Sequence, residues 1–318
     1  MKLNLLQVLA FLAVANVAGQ SREEKLKIQS SYDENQINIL NASLEISASE
    51  KRVRIAEYVS KNPTVKVDYF ADGRQYHMVD VIDGEPIYIA TDNATEGGAI
   101  KVNRLYPGGS LGLSLEGLGL EAGVWDGGWI RPTHNQFQLN GVSRVTIQDG
   151  VGGTFSQHGT HVGGTVGASG LGSGNSSLKG MAPKVSILSY NWDNDMVEVS
   201  QRAQAGLLVS NHSYGIPISN DQNQVTLPSW YPGCYNNDAR DWDAILYTYP
   251  YYLHVKSAGN EGITNYSGGL GAGLDKLTAE ANCKNNLVVA NASTNANPPQ
   301  YILGAWSINA SSSQGTNR

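Results

Sequence analysis

The sequence predicts an α/β fold: a parallel, twisted sheet with helices on both faces, preceded by a small α+β segment. Three observations carry that expectation. Apolar runs of strand length recur from about residue 120 onward, helix-like stretches separate them, and the 318 residues include 36 glycines. Strands that alternate with helices form parallel sheets covered on both sides. Abundant glycine suits tight loops and close backbone contacts.

The strand-like runs, in order, are Leu120 to Trp125 ending at Asp126, the alternating Ser143 to Ile147, Val185 to Tyr190, Leu207 to Ser210, Tyr252 to Ser257, and Leu287 to Ala290. His158 to Ala168, Asp195 to Ala205 and Asp241 to Tyr247 read as helices between them. In such sheets the working residues sit at the carboxyl ends of the strands. Residues 21–100 differ in kind: they are richer in Lys, Glu and Asp and poor in Gly. There, Lys51 to Tyr58 suits a short amphipathic helix. Asp68-Tyr69-Phe70 and Pro86-Ile87-Tyr88-Ile89 suit strands around the turns Asp72-Gly73 and Asp83-Gly84. The expected organisation is a leader over 1–20, a prosegment or N-terminal domain over 21–100, and a larger domain over 101–318.

The leader is read from Lys2, the apolar stretch Leu3 to Val17, and the small residues Ala18 and Gly19, the layout of a secretory signal peptide. The apolar run is short for a membrane span. The expected location is therefore secreted or extracytoplasmic, with no membrane insertion once the leader is removed. A formal net charge of -6 excludes general affinity for nucleic acid or anionic lipid. A 16% share of charged residues and a 41% share of hydrophobic ones exclude a disordered or coiled-coil chain. Export permits a disulfide between Cys234 and Cys283, the only cysteines, and two buried thiols are the alternative. Two cysteines alone cannot build a structural zinc site.

Three blocks carry chemistry. Asp126 ends the strand Gly123-Val124-Trp125-Asp126, where a carboxylate can orient an imidazole; taken alone, Asp-Gly after a strand is an ordinary turn. His158-Gly159-Thr160-His161-Val162-Gly163-Gly164-Thr165 is far more specific. Its small residues let a helix pack closely, and His158 at the helix start suits general-base work near neutral pH. His158 and His161, three apart, could share a helix face toward a metal, but no His-Glu-x-x-His occurs and no further ligands cluster, so no metal is assigned. Ser257-Ala258-Gly259-Asn260-Glu261-Gly262 follows an apolar strand, and an Asn there can aim its amide at a developing oxyanion.

Together these blocks resemble the subtilisin family of serine peptidases over about residues 110–318, with Asp before His in the chain. The resemblance implies that Asp126 orients the base, His158 is the base, and Asn260 donates to the oxyanion. It implies that Ser213, Tyr214 and Gly215, in Asn211-His212-Ser213-Tyr214-Gly215, pair with an extended polypeptide substrate. It further implies that the prosegment is an intramolecular inhibitor, that the chemistry needs no cofactor, and that calcium is a stabiliser without assignable ligands here. One departure stands out. The family's nucleophile lies in Gly-Thr-Ser, which this sequence lacks, Gly315-Thr316-Asn317 being the nearest text. Asn309 to Gly315 resembles the segment before the nucleophile helix, so the fold is expected to be incomplete at its carboxyl end and the chain inactive as written. Ser156 lies too near His158 in the chain to substitute, and Ser213 belongs to the substrate strand. The competing expectation is a catalytically dead module that binds extended peptides.

Overall fold

The computed structural model describes residues 19–71, 74–91, 100, 102–150, 153–170, 179–220, 222, 224–266, 268, 274–294 and 306–315. The proposed leader up to residue 18, the Asp72-Gly73 turn and Asn317 lie outside these. The N-terminal unit begins with α1 (Arg22–Ser30) and α2 (Glu34–Lys61), followed by β1 (Asp68–Ala71), β2 (Arg74–Ile82) and β3 (Glu85–Thr91). Here the expected short helix over Lys51 to Tyr58 is corrected to one of 28 residues. Asp33 caps it, accepting from the backbone N–H groups of Asn35 and Gln36. No Gly or Pro interrupts it before Asn62-Pro63. The periodicity is faint because only Ile37 and Leu44, two turns apart, are fully buried. Between β2 and β3, Asp83 and Gly84 have φ of 53° and 84°, the left-handed pair that a two-residue hairpin turn requires.

The larger unit is built on β4 (Glu121–Asp126), the small hairpin β5 (Gln138–Leu139) and β6 (Val142–Ser143), then β7 (Val145–Ile147), α3 (Gln157–Gly167), β8 (Ser186–Asn191) and α4 (Asp195–Gln204). After these come β9 (Val209–His212), β10 (Tyr214–Gly215), α5 (Asn237–Thr248), β11 (Leu253–Ser257), β12 (Leu287–Val289), β13 (Ala292–Thr294) and β14 (Trp306–Ile308). Six strands form one sheet in the order β12-β11-β9-β4-β8-β7, every pair parallel. The sequence reading of an α/β fold with a parallel sheet therefore stands. Its run Ser143 to Ile147 divides between β6 and β7, and its run from Leu207 begins two residues late, at Val209.

Successive side chains of β4 serve opposite faces of the sheet. Val124 joins Val145, Val162, Val185 and Ile187 beneath α3. Trp125 joins Tyr190, Trp242, Ile245 and Leu246 on the α4–α5 side. That second core is continuous with the N-terminal unit, since Tyr32, Ile37, Leu44, Ile87 and Ile89 belong to it. Burying a side chain such as Ile87 contributes roughly 1.5–3 kcal/mol. The ion pairs Lys25–Glu121 and Lys51–Asp238, both 2.5 Å, cross the same boundary. No helix among the described residues is long and apolar enough to cross a membrane.

Candidate active site

The parallel register sets Trp125 beside His212 and His212 beside Lys256. One residue further on, Asp126, Ser213 and Ser257 therefore stand at the same height along the carboxyl edge. Asp126 is completely buried. Its carboxylate is satisfied by the Gly127 N–H at 2.8 Å and the Ser156 hydroxyl at 3.3 Å. Above all, it receives His158 Nδ1, which lies 2.9 Å from Oδ1 and 2.8 Å from Oδ2. An ionised carboxylate only accepts, so the imidazole carries its proton on Nδ1. That leaves Nε2 as the basic nitrogen of the neutral ring.

The local sequence forces this pairing. Ser156 caps α3, its Oγ accepting from the Gly159 N–H at 2.9 Å, which starts the helix with His158 in its first turn. The same hydroxyl donates to Asp126, so Ser156 fixes both the helix and the carboxylate. The sequence reading set Ser156 aside; its signal was the N-cap pattern ahead of the His158 block. Gly159 lets α3 approach, since a Cβ there would lie 3.1 Å from Asp126 Cβ and 3.0 Å from the Gly128 carbonyl. At Gly163 a Cβ would meet Ile130 at 2.7 Å. Two glycines one helical turn apart thus seat the helix on the end of β4 and on Ile130 in the segment that follows it.

The opposite wall of the edge is a cleft lined by Gly215, Ile216 and Pro217 on one side and by Ser257 through Glu261, including Asn260, on the other. Ser257 Oγ donates to the Tyr214 carbonyl at 3.4 Å, and Thr278 Oγ1 to the Ile216 carbonyl at 2.7 Å. The Asn260 loop is held by the segment 311–314. Ser313 N–H donates to the Gly259 carbonyl at 2.9 Å, Ser313 Oγ accepts from the Glu261 N–H at 2.9 Å, and Gly262 N–H donates to the Ser311 carbonyl at 2.9 Å. The structure also brings Tyr214 and Gly215 into an antiparallel ladder with β3, Tyr214 opposite Thr91 and Gly215 opposite Ala90. An extended segment of the chain therefore lies along the strand that sequence reasoning assigned to substrate.

Beneath that strand lies a buried polar chain that sequence reasoning missed. Tyr252 meets Ser210, whose Oγ is 2.7 Å from His212 Nε2; His212 Nδ1 is 2.6 Å from the Tyr214 hydroxyl, which donates to Asp195 at 2.8 Å. Burial, with help from His254 and Lys256, holds the His212 pKa well below its ordinary value, so the ring is neutral. Burial, reinforced by Glu280, pushes the Asp195 carboxyl up to about 7. His254 stacks on Trp242 at 4.2 Å, and neither of its nitrogens has a hydrogen-bond partner among the described residues. The available signal was polar letters, His254 and Lys256, inside a run that otherwise reads as a fully buried strand. Cys234 and Cys283 are free thiols rather than a disulfide. Among the described residues no group of three or more His, Cys, Asp or Glu side chains could hold a metal ion.

Comparison with curated proteins gives no match. Among solved structures, that of the Clostridium perfringens CspB protease aligns at 23% identity with a TM-score of 0.33. The alignment covers 46% of this chain and 38% of that one, so the present chain spans well under half of that protease. The sequence matches the family described as the subtilase family over residues 131–316, which is more than half of the chain and takes in His158, the strand at Tyr214 and Asn260. On that match the chain belongs to the subtilase family, whose members are serine-type peptidases.

Proposed function

We propose that this protein is a secreted endopeptidase in which Asp126 orients His158, His158 takes the proton of a serine nucleophile, and Asn260 donates to the oxyanion. The observation that carries the reading is the two-oxygen grip of the completely buried Asp126 on His158 Nδ1, at 2.9 and 2.8 Å. Attack on a peptide carbonyl would give an acyl-enzyme, with the His158 proton passing to the leaving amine, and water would then release the acyl group. Substrate would lie along Ser213, Tyr214 and Gly215 as an added antiparallel strand. The β3–β10 ladder supports this, because it is the same type of contact made within the chain. It also supports an inhibitory role for the N-terminal unit, which would keep the cleft covered until cut or displaced.

The 318 residues hold no Gly-Thr-Ser. Ser156, the hydroxyl beside Asp126, is committed to the helix cap. We therefore expect no turnover from these residues alone, since loss of the serine removes about a million-fold in kcat. The test is fluorophosphonate labelling with peptide mass mapping, on this chain and on the same chain extended by the reading frame after Arg318. Label on a serine of the extension alone supports the peptidase. Absence of label on both favours a module that only binds extended peptides, and label within the 318 residues overturns the assignment of the nucleophile.

A further inference from the structure

Helix α2 carries two apolar rows on opposite faces. Ile37 and Leu44 are buried against the larger unit, and Lys51, next in that row, reaches Asp238 at 2.5 Å. Positions seven apart are nearly two full turns apart, so such a row stays on one face. A second row, Ile39, Ile46 and Val53, keeps the same spacing but is 72%, 61% and 54% exposed. Position 39 stands about 200° around the helix from position 37, which puts the second row on the far side. Ala42, Ser49 and Ala56 fill the intervening turns, and all three are exposed. Branched and small residues therefore alternate every three or four positions from 39 to 56, in a stripe about 26 Å long. Single exposed aliphatic residues are ordinary, but a row with the period of a coiled-coil seam on a solvent-facing side is not. β-Branched side chains there do not favour the helix, so the seam needs another reason.

The stripe is complementary to itself. A second α2, set antiparallel with its Ser49 level with Ile46, brings Ile39 to the partner's Ala56 and Val53 to the partner's Ala42. Each branched side chain then faces a small one. The charges beside the stripe agree with this register. Glu45 and Arg52, seven apart, are exposed on the same flank. Arg52 makes no ion pair among the described residues, its contact being Asn194 Oδ1 at 3.4 Å. In the antiparallel pair, Glu45 lies within about 3 Å, along the axis, of the partner's Arg52, and the two-fold axis repeats the contact. A parallel pair would instead set Glu45 beside the partner's Glu50, like against like. We infer that α2 is a self-association surface and that its partner is a second copy of this chain, bound by an antiparallel, two-fold contact centred between Ile46 and Ser49. The contact lies on the N-terminal unit, so the dimer belongs to the form of the protein that retains that unit. One helical seam falls near the lower end of the roughly 1,200–2,000 Å² of stable interfaces, so a dissociation constant on the order of micromolar is expected.

The experiment is sedimentation equilibrium of the full chain over a range of concentrations, with the unfolding midpoint measured alongside. A monomer–dimer equilibrium is expected. Ile46→Glu should weaken it at least about thirtyfold, since a charge enters the centre of the contact twice. The monomer's midpoint should hold, because the side chain it replaces is exposed. Glu45→Arg and Arg52→Glu, each alone, should weaken self-association severalfold, and more at low salt. Mixing those two variants should restore the dimer as a heterodimer, because both contacts then join opposite charges. Should Ile46→Glu fail to fold, the charge variants decide the matter. A chain that stays monomeric throughout, or association that persists unchanged in Ile46→Glu, overturns the contact. Tighter association of Glu45→Arg would set the helices parallel and overturn the antiparallel register.

Discussion

The Asp126–His158 corner and the Asn260 corner share one edge of one sheet but are assembled by different means. The first is nearly local: a strand end and a helix start, 32 residues apart, locked by a cap, two close-approach glycines and a carboxylate. The second is a meeting of distant segments. Glu261 is held by Ser313, 52 positions away, Ile216 by Thr278, 62 positions away, and β10 is paired with β3 from the N-terminal unit. A local corner can lose its chemistry while the fold stays intact. A corner made of long-range contacts should lose geometry and stability together.

The largest expected effect tests the local side. In a serine-bearing form, Asp126→Asn should lower kcat by about 10⁴-fold, the drop that this replacement gives in the serine-protease template. Asn retains an acceptor for the Gly127 N–H, so the thermal midpoint should move little. A kcat loss below tenfold, or a midpoint that collapses with it, would break the comparison. Next come two matched glycine replacements. A Cβ at Gly262 would sit 2.1 Å from the Ala310 carbonyl and 2.4 Å from that of Ser312, and backbone atoms cannot easily yield. Gly262→Ala should therefore detach the segment behind Asn260 and cost about 1–3 kcal/mol, read as a lower unfolding midpoint. Gly159→Ala, with contacts of 3.0–3.1 Å, should cost less stability but shift His158 away from Asp126. Equal effects of the two on stability would mean that the corners are built alike.

The same contrast explains what was legible in the sequence. Asp126, His158 and Asn260 stand out in the sequence because each sits in a short block whose letters record local demands: a strand end, a close helix, a loop after a strand. The strands at β4, β8 and β11 were legible as apolar runs. The length of α2 was not, because one side of it docks onto α4 and α5 through only a few buried residues, and apolar residues recur on its exposed side as well. The pairing of β3 with β10 was not legible either, since register between segments more than a hundred residues apart leaves no local mark. Ser156 was weighed as a nucleophile, and its cap geometry supplies the better role.

The smallest expected effects are titrations beneath and beside β10. The Asp195 carboxyl is raised from an ordinary value of 3.8 to about 7, first by burial and then by Glu280; the hydrogen bond from Tyr214, the Lys51 charge and the Met196 N–H pull the other way. Its folded pKa exceeds its unfolded one, so the native state binds the extra proton between those values, and stability falls as pH rises from about 4 to about 7. Asp195→Asn keeps an acceptor for Tyr214 and cannot ionise. Its midpoint should therefore gain on the wild type across that window and hold a constant lead above it. Glu198, on the same helix and also raised to about 7, is raised in part by the Asp195 charge, so the difference between the two proteins reports the coupled pair. His77 works in the same sense by another route. Burial lowers its pKa, but the hydrogen bond to Asp68 and the charge of Asp193 outweigh it, and the net shift is upward. Its contribution is then complete below about pH 6.5 and fades as pH climbs through the raised value. Because Asp193 is 55% exposed, the bond of 3.1 Å from His77 Nε2 across to the larger unit should contribute only about 0–1 kcal/mol. His77→Gln should thus lower the midpoint slightly in acid and leave it unchanged in alkali. A pH-independent loss would show that His77 acts by packing on Trp192 rather than by charge, and would remove it from any account of how the N-terminal unit is held.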